Sequence, residues 1–94
     1  MKFMLTFTIK PETRDTAIAR FVKTKGRPPK GVTLLGRWTR ADFSGGFDLL
    51  ESNDLTAVAE FALAWSDLME LTVVPVVEDQ ELTQVLARVG KQST

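Results

Sequence analysis

The sequence predicts an α+β fold: a ferredoxin-like β-α-β-β-α-β antiparallel sheet with an extra C-terminal helix. Three observations carry this. Four stretches read as strands, the first of them with clean period-two alternation; two stretches between them repeat apolar residues every three to four positions; and breaks such as Pro11, Gly26 to Gly31 and Ser52-Asn53-Asp54 separate them. In that order both crossover helices cover the same face of the sheet, and the other face is left for something else to cover. A chain of 94 residues has little left for that task, so a partner subunit is expected.

The first strand covers residues 2 to 9, where Phe3, Leu5, Phe7 and Ile9 share one face and Met4, Thr6 and Thr8 the other. Lys10-Pro11 ends it, because proline lacks an amide donor and holds Lys10 extended. From about Glu12 to Lys25 the pattern is helical, with Ala17, Ile18, Phe21 and Val22 as the apolar stripe. Gly26 stops this helix, and Arg27-Pro28-Pro29-Lys30-Gly31 is a stiff connection. Strands two (about Val32 to Thr39) and three (about Gly46 to Glu51) form a hairpin through a loop around Ala41 to Gly45. Ser52-Asn53-Asp54 is a helix start with Asp54 as the cap, and Leu55, Val58, Ala59, Ala62, Trp65 and Leu68 are expected to face inward. The fourth strand, about Glu70 to Val77, carries Pro75, which places it at a sheet edge. A last helix is expected over about Asp79 to Val89, with Leu82, Val85, Leu86 and Val89 as its stripe, before a frayed Gly90 to Thr94 end.

The expected sheet order is 4-1-3-2. Both faces of the fourth strand are fairly apolar, so Val74, Val76, Met4 and Leu35 or Leu50 would form a patch that demands a partner. A face-to-face homodimer closing two sheets into a dimeric α+β barrel answers this, with the C-terminal helix anchored at the interface. Residues 1 to 94 are read as one such domain, its core at about 1 to 78 and its extra helix at about 79 to 89.

Composition removes several functions. Twelve basic and twelve acidic residues cancel, so no overall field draws the chain to nucleic acid or to an anionic membrane. The chain holds no cysteine and no histidine, which excludes thiol chemistry, a histidine-ligated haem and the usual zinc sites. No metal and no cofactor is expected. No apolar run approaches the roughly 20 residues of a membrane span, and the N-terminus lacks a signal-peptide cleavage pattern, so the cytoplasm is the expected location. RNA-recognition domains share this strand order, but they need aromatics on strand three where this chain has Gly46-Phe47-Asp48-Leu49-Leu50-Glu51. The basic cluster Lys23, Lys25, Arg27 and Lys30 reads as a solvated loop, and Gly45-Gly46 as a tight loop rather than a phosphate cradle.

Candidate site residues concentrate in the hairpin. With a four-residue loop, Arg37 lies opposite Asp48, and Trp38 lies opposite Phe47 on the same face as Glu51; a slip of one residue pairs Trp38 with Asp48 instead. Glu51, Asp48 and Arg37 are the candidates for catalysis, since a carboxylate enclosed beside an arginine can serve as acid or base. Trp38, Trp65, Arg37 and Glu51 are the candidates for binding a flat apolar or aromatic molecule, with the two indoles as walls. The competing reading makes Arg37 and Asp48 a cross-strand structural pair, leaves Glu51 at a strand end, and gives both tryptophans to the core.

Short motifs add a resemblance: Met1-Lys2-Phe3-Met4, Gly36-Arg37-Trp38, Glu51-Ser52-Asn53-Asp54, Trp65-Ser66-Asp67 and Val73-Val74-Pro75-Val76. Through these, across residues 1 to about 80, the chain resembles the small bacterial Domain of Unknown Function 3303 family. The resemblance implies a dimeric α+β barrel, the broad group that includes cofactor-free antibiotic-biosynthesis monooxygenases and haem-degrading enzymes. Two functions remain open. One is a small-molecule-binding barrel, in its enzymatic form a cofactor-independent monooxygenase or isomerase in which Glu51 or Asp48 takes a proton and Arg37 stabilises an enolate. The alternative is a non-catalytic regulatory or dimerisation module.

Overall fold

The computed structural model describes residues 1–93, with side chains through position 90. The elements are β1 (Lys2–Ile9), α1 (Arg14–Thr24), β2 (Val32–Thr39), β3 (Gly45–Ser52), α2 (Leu55–Trp65), β4 (Met69–Val76) and α3 (Asp79–Ser93). The four strands form one sheet in the order β2-β3-β1-β4, the expected order read from the other edge. All pairings are antiparallel, so the architecture is the expected ferredoxin-like α+β fold. β4 lies at an edge, where Pro75 deprives no neighbour of a ladder hydrogen bond.

The alternation in β1 sets which sheet face is covered. Phe3, Leu5, Phe7 and Ile9 are all buried, as are Leu50 of β3 and Val32 of β2. Ala57, Val58 and Phe61 of α2, Ala17 of α1 and Leu68 close over them. Each large side chain removed from water here contributes roughly 1.5–3 kcal/mol, so this one-sided layer is the main source of stability.

Local chemistry fixes where the helices begin and end. Asp54 caps α2, its carboxylate accepting from the Thr56 and Ala57 amides at 3.0 and 3.2 Å. Buried Ser52 braces this start: its hydroxyl donates to the Gly31 carbonyl at 2.6 Å and accepts from the Asp54 amide at 2.9 Å. A short 3-10 turn over Pro11–Thr13 precedes α1. The Thr13 hydroxyl donates to the Leu68 carbonyl at 2.7 Å, which ties that turn to the start of β4. Two consecutive left-handed residues, Lys25 (φ 61°) and Gly26 (φ 62°), end α1.

Three expectations about the helices are corrected. In α2 the inward stripe is Ala57, Val58, Phe61 and Trp65, leading to Leu68, while Leu55 is 63 % exposed and Ala59 is also exposed. Leu55 occupies the first helical position after the cap, which points away from the sheet. In α1 only Ala17 is fully buried; Ile18, Phe21 and Val22 are all substantially exposed, so this helix covers the sheet loosely. Finally, α3 runs through Gly90 to Ser93 instead of fraying after Val89, since one glycine weakens a helix without ending it. Thr94, the last residue of the expected frayed end, lies outside the described residues.

The other sheet face carries no helix. Met4, Leu35, Trp38, Phe47, Leu49 and Val74 share it, and Trp38 is 59 % exposed. Leu35 joins this set through a bulge between Leu34 and Gly36, whereas Leu50 points into the core. Gly36 lets the Trp38 ring lie flat across the strand: a Cβ there would come within 2.7 Å of the indole. α3 extends away from the sheet, with Leu82, Val85, Leu86 and Val89 all exposed. The radius of gyration, 16.2 Å, reflects that projection, as a compact chain of this length would have about 12 Å. Among the described residues no helix is long and apolar enough to cross a membrane.

Candidate ligand cavity

Loose coverage by α1 leaves a cavity of about 210 Å³ between the helices and the sheet. Its floor is Leu5, Phe7 and Ile9 of β1 with Leu71 of β4, and Phe61 and Trp65 of α2 form one wall. Ile18 and Phe21 of α1, together with Phe43 from the β2–β3 loop, are about half exposed and form its rim. The lining is apolar by residue type except at Arg37, Thr39 and Asp48.

The polar end is a closed network. Register places Arg37 opposite Asp48 and Trp38 opposite Phe47, the pairing expected for the unslipped hairpin. Arg37 Nε donates to one oxygen of Asp48 at 2.7 Å and Nη2 to the other at 3.0 Å. Nη2 also donates to the Gly26 carbonyl at 2.8 Å, and Nη1 to the Lys25 carbonyl at 3.3 Å. The left-handed turn at the end of α1 therefore supplies the carbonyls that finish solvating the guanidinium, which also lies 5.4 Å from the Phe21 ring. Asp48 is 3 % exposed. Such burial is tolerable because both carboxylate oxygens accept charge-assisted hydrogen bonds.

Arg20 holds Trp65 in the wall. It donates two hydrogen bonds of 2.8 Å to the Asp67 carboxylate and one of 3.0 Å to the Ala64 carbonyl. Its guanidinium lies 5.4 Å from the indole centroid. The Arg20 guanidinium holds the Asp67 carboxyl below the usual aspartate range. At the rim, Phe43 has φ 59°, which is unfavourable for a residue with a Cβ. Asp42 supports that conformation by accepting from the Ser44 hydroxyl at 2.6 Å and the Ser44 amide at 3.0 Å. These bonds, with Arg40 nearby, lower the Asp42 carboxyl to about 2.

The expected site residues divide between the two faces. Arg37, Asp48 and Trp65 line the cavity. Trp38 and Glu51 do not: they share the open face, where Glu51 lies 3.8 Å from Lys2 Nζ. The two tryptophans therefore are not walls of one pocket, because Trp65 comes from the helical layer and Trp38 from the opposite side of the sheet. Lys2 is also hydrogen-bonded to Glu78 at the start of the final helix, which raises the pKa of its amine.

The model of the family described as Domain of unknown function (DUF3303) matches residues 1–90. The chain belongs to this family. No curated protein matches it. Among solved structures it is similar to that of Rv0793 from Mycobacterium tuberculosis, at 16 % sequence identity and a TM-score of 0.51. The match covers 83 % of this chain and 95 % of that one, a likeness of fold.

Among the lining residues of this family member, Phe61, Gly26 and Phe43 escape a reading of its sequence, each for its own reason. For Phe61 the spacing is ambiguous, since a stripe through Ala57, Val58, Phe61, Trp65 and Leu68 has the same period as one through Leu55, Val58, Ala59 and Ala62 and only the former includes it. Gly26 reads as a helix stop, but nothing local shows that its carbonyl meets Arg37. Phe43 lies in a polar loop, and only its left-handed backbone turns the ring over the cavity.

Proposed function

We propose that this protein binds a small apolar ring compound in the cavity beneath its helices and works as a homodimer. The observation that carries the binding reading is the size and chemistry of the cavity. At about 210 Å³ it exceeds the ~150 Å³ that suffices for benzene in an engineered apolar cavity. A substituted single ring or a compact fused pair fits that space, and three- or four-ring polyketides exceed it. Aromatic walls and one polar end are the usual means of holding and orienting such a ligand.

Binding without catalysis is the better supported version. Asp48, the carboxylate on the cavity wall, has each of its oxygens engaged by Arg37, which holds the carboxylate toward the guanidinium rather than toward a ligand. Glu51 lies on the other side of the sheet. The monooxygenase or isomerase version would require a substrate C–H to reach one of the Asp48 lone pairs that Arg37 does not use.

The dimer is supported by two unburied apolar surfaces, the open sheet face and the stripe of α3. A lone α-helix of 15 residues is marginal in water, so α3 gains its stability by burying Leu82, Val85, Leu86 and Val89. Its own sheet does not bury them, and a second copy offers a matching apolar sheet face. Light scattering at micromolar concentration is expected to give twice the chain mass, and a monomer mass would refute the dimer. For binding, the test is a thermal-shift screen of single- and double-ring aromatics. A ligand at a hundred times its Kd stabilises by about 2.7 kcal/mol, enough to raise Tm by several degrees. If no compound in the series moves Tm, the binding reading is wrong.

A further inference from the structure

We propose that the cavity selects neutral hydrogen-bonding rings, such as phenols and aryl ketones, over aromatic carboxylates, and that the Arg37–Asp48 pair is the selecting element. The inference rests on the ligand-binding reading above and assigns its ligand class.

Arg37 and Asp48 are the two charged residues among those lining the cavity. An arginine in an apolar pocket ordinarily marks a site for a carboxylate or phosphate, because its planar fork matches two acceptor oxygens. Here the fork is already filled. Nε and one N–H of Nη2 hold Asp48, the second N–H of Nη2 meets the Gly26 carbonyl, and one N–H of Nη1 meets the Lys25 carbonyl. Of the five guanidinium donors, a single N–H on Nη1 remains. The pair carries no net charge.

An entering carboxylate would thus give up its hydration for one hydrogen bond and no counter-charge, with the Asp48 carboxylate close by to repel it. A phenol or ketone oxygen loses far less on leaving water, and one donor satisfies it. Thr39, the remaining polar residue of the lining, adds a hydroxyl that donates or accepts, which suits a neutral group of either kind. The arrangement is also closely packed. A Cβ at position 26 would collide with the Arg37 guanidinium, so the turn packs directly against the fork. Arg37 cannot turn toward an anion without abandoning Asp48 in the cavity wall.

The test uses the full chain and compounds of matched size. In calorimetric titrations at pH 7, p-cresol and acetophenone are expected to bind at least about tenfold more tightly than benzoate. Benzoate binding as tightly as p-cresol overturns the inference and leaves the binding reading intact. Failure of all three to bind removes the binding reading and this inference with it. A second measurement needs no variant: 4-nitrophenol titrated in the presence of excess protein should ionise at a higher pH than when free, because the phenol form is retained. A downward shift overturns the inference. In D48N the Arg37 charge is uncompensated, and benzoate should gain about tenfold or more in affinity. A folded D48N whose benzoate affinity is unchanged overturns the role given to the pair.

Discussion

Arg37 and Asp48 face each other across the β2–β3 ladder and share two hydrogen bonds of 2.7 and 3.0 Å at the wall of the cavity. The pair is more strongly tied to the fold than to the solvent, since the side chains are only 17 % and 4 % exposed. Removing one partner leaves the other charge stranded. R37L is therefore expected to lower stability by about 3–5 kcal/mol, while R37L/D48L recovers most of the loss. Denaturant midpoints of the two variants check this, and additive losses would contradict it.

The two tryptophans serve as independent reporters because the sheet separates them. A ligand in the cavity is expected to quench Trp65 and leave Trp38 untouched. Fluorescence titration of W38F should retain the full ligand response, and W65F should lose it. The opposite result would place the ligand on the open face. In the proposed dimer, Trp38 should in turn become protected from acrylamide as protein concentration rises.

Asp42 links the rim of the cavity to pH. Its folded pKa of about 2 lies below the ordinary 3.8 because the Ser44 hydroxyl and amide bind the charged form. A group depressed in this way stabilises the loop above its ordinary value and ceases to do so as pH falls from 3.8 toward 2. The Ser44 amide should thus be protected from hydrogen exchange at pH 5 and lose protection in that acid window. D42N should lose it already at neutral pH, with weaker ligand binding as Phe43 leaves its left-handed conformation.

Asp54 makes a simpler claim. D54A removes the acceptor for the first amides of α2 and should lower Tm by about 4–8 °C. D54N or D54S should recover most of that loss, since either side chain can cap. Equal losses in all three, read by thermal unfolding, would mean that the cap is unimportant.

The sequence was most readable where one physical rule acted alone. Strict alternation from Phe3 to Ile9 has only one arrangement that buries the apolar set, and Pro75 has only an edge to occupy. The hairpin register was legible to within one residue, and the Arg37–Asp48 pairing resolved it. Legibility failed where three-dimensional placement decided the outcome. Trp38 and Trp65 look alike as candidate walls, yet strand parity sends one away from the cavity and helix packing sends the other into it. Ile18 and Phe21 look like core residues by spacing, and only the loose seating of α1 makes them a rim. Phe43 carries no periodic signal at all, because a loop residue's direction is set by its backbone conformation.

The most direct test of the account is a ¹⁵N-labelled titration with p-cresol, which reads both faces of the sheet at once. Binding in the cavity predicts shifts at the amides of Gly26, Arg37, Thr39, Phe43 and Trp65 and at the Trp65 indole N–H. Thr6, Thr72 and Val74 and the Trp38 indole should remain still. Shifts confined to this second group, or no shifts at millimolar ligand, would contradict the assignment of the cavity as the functional site.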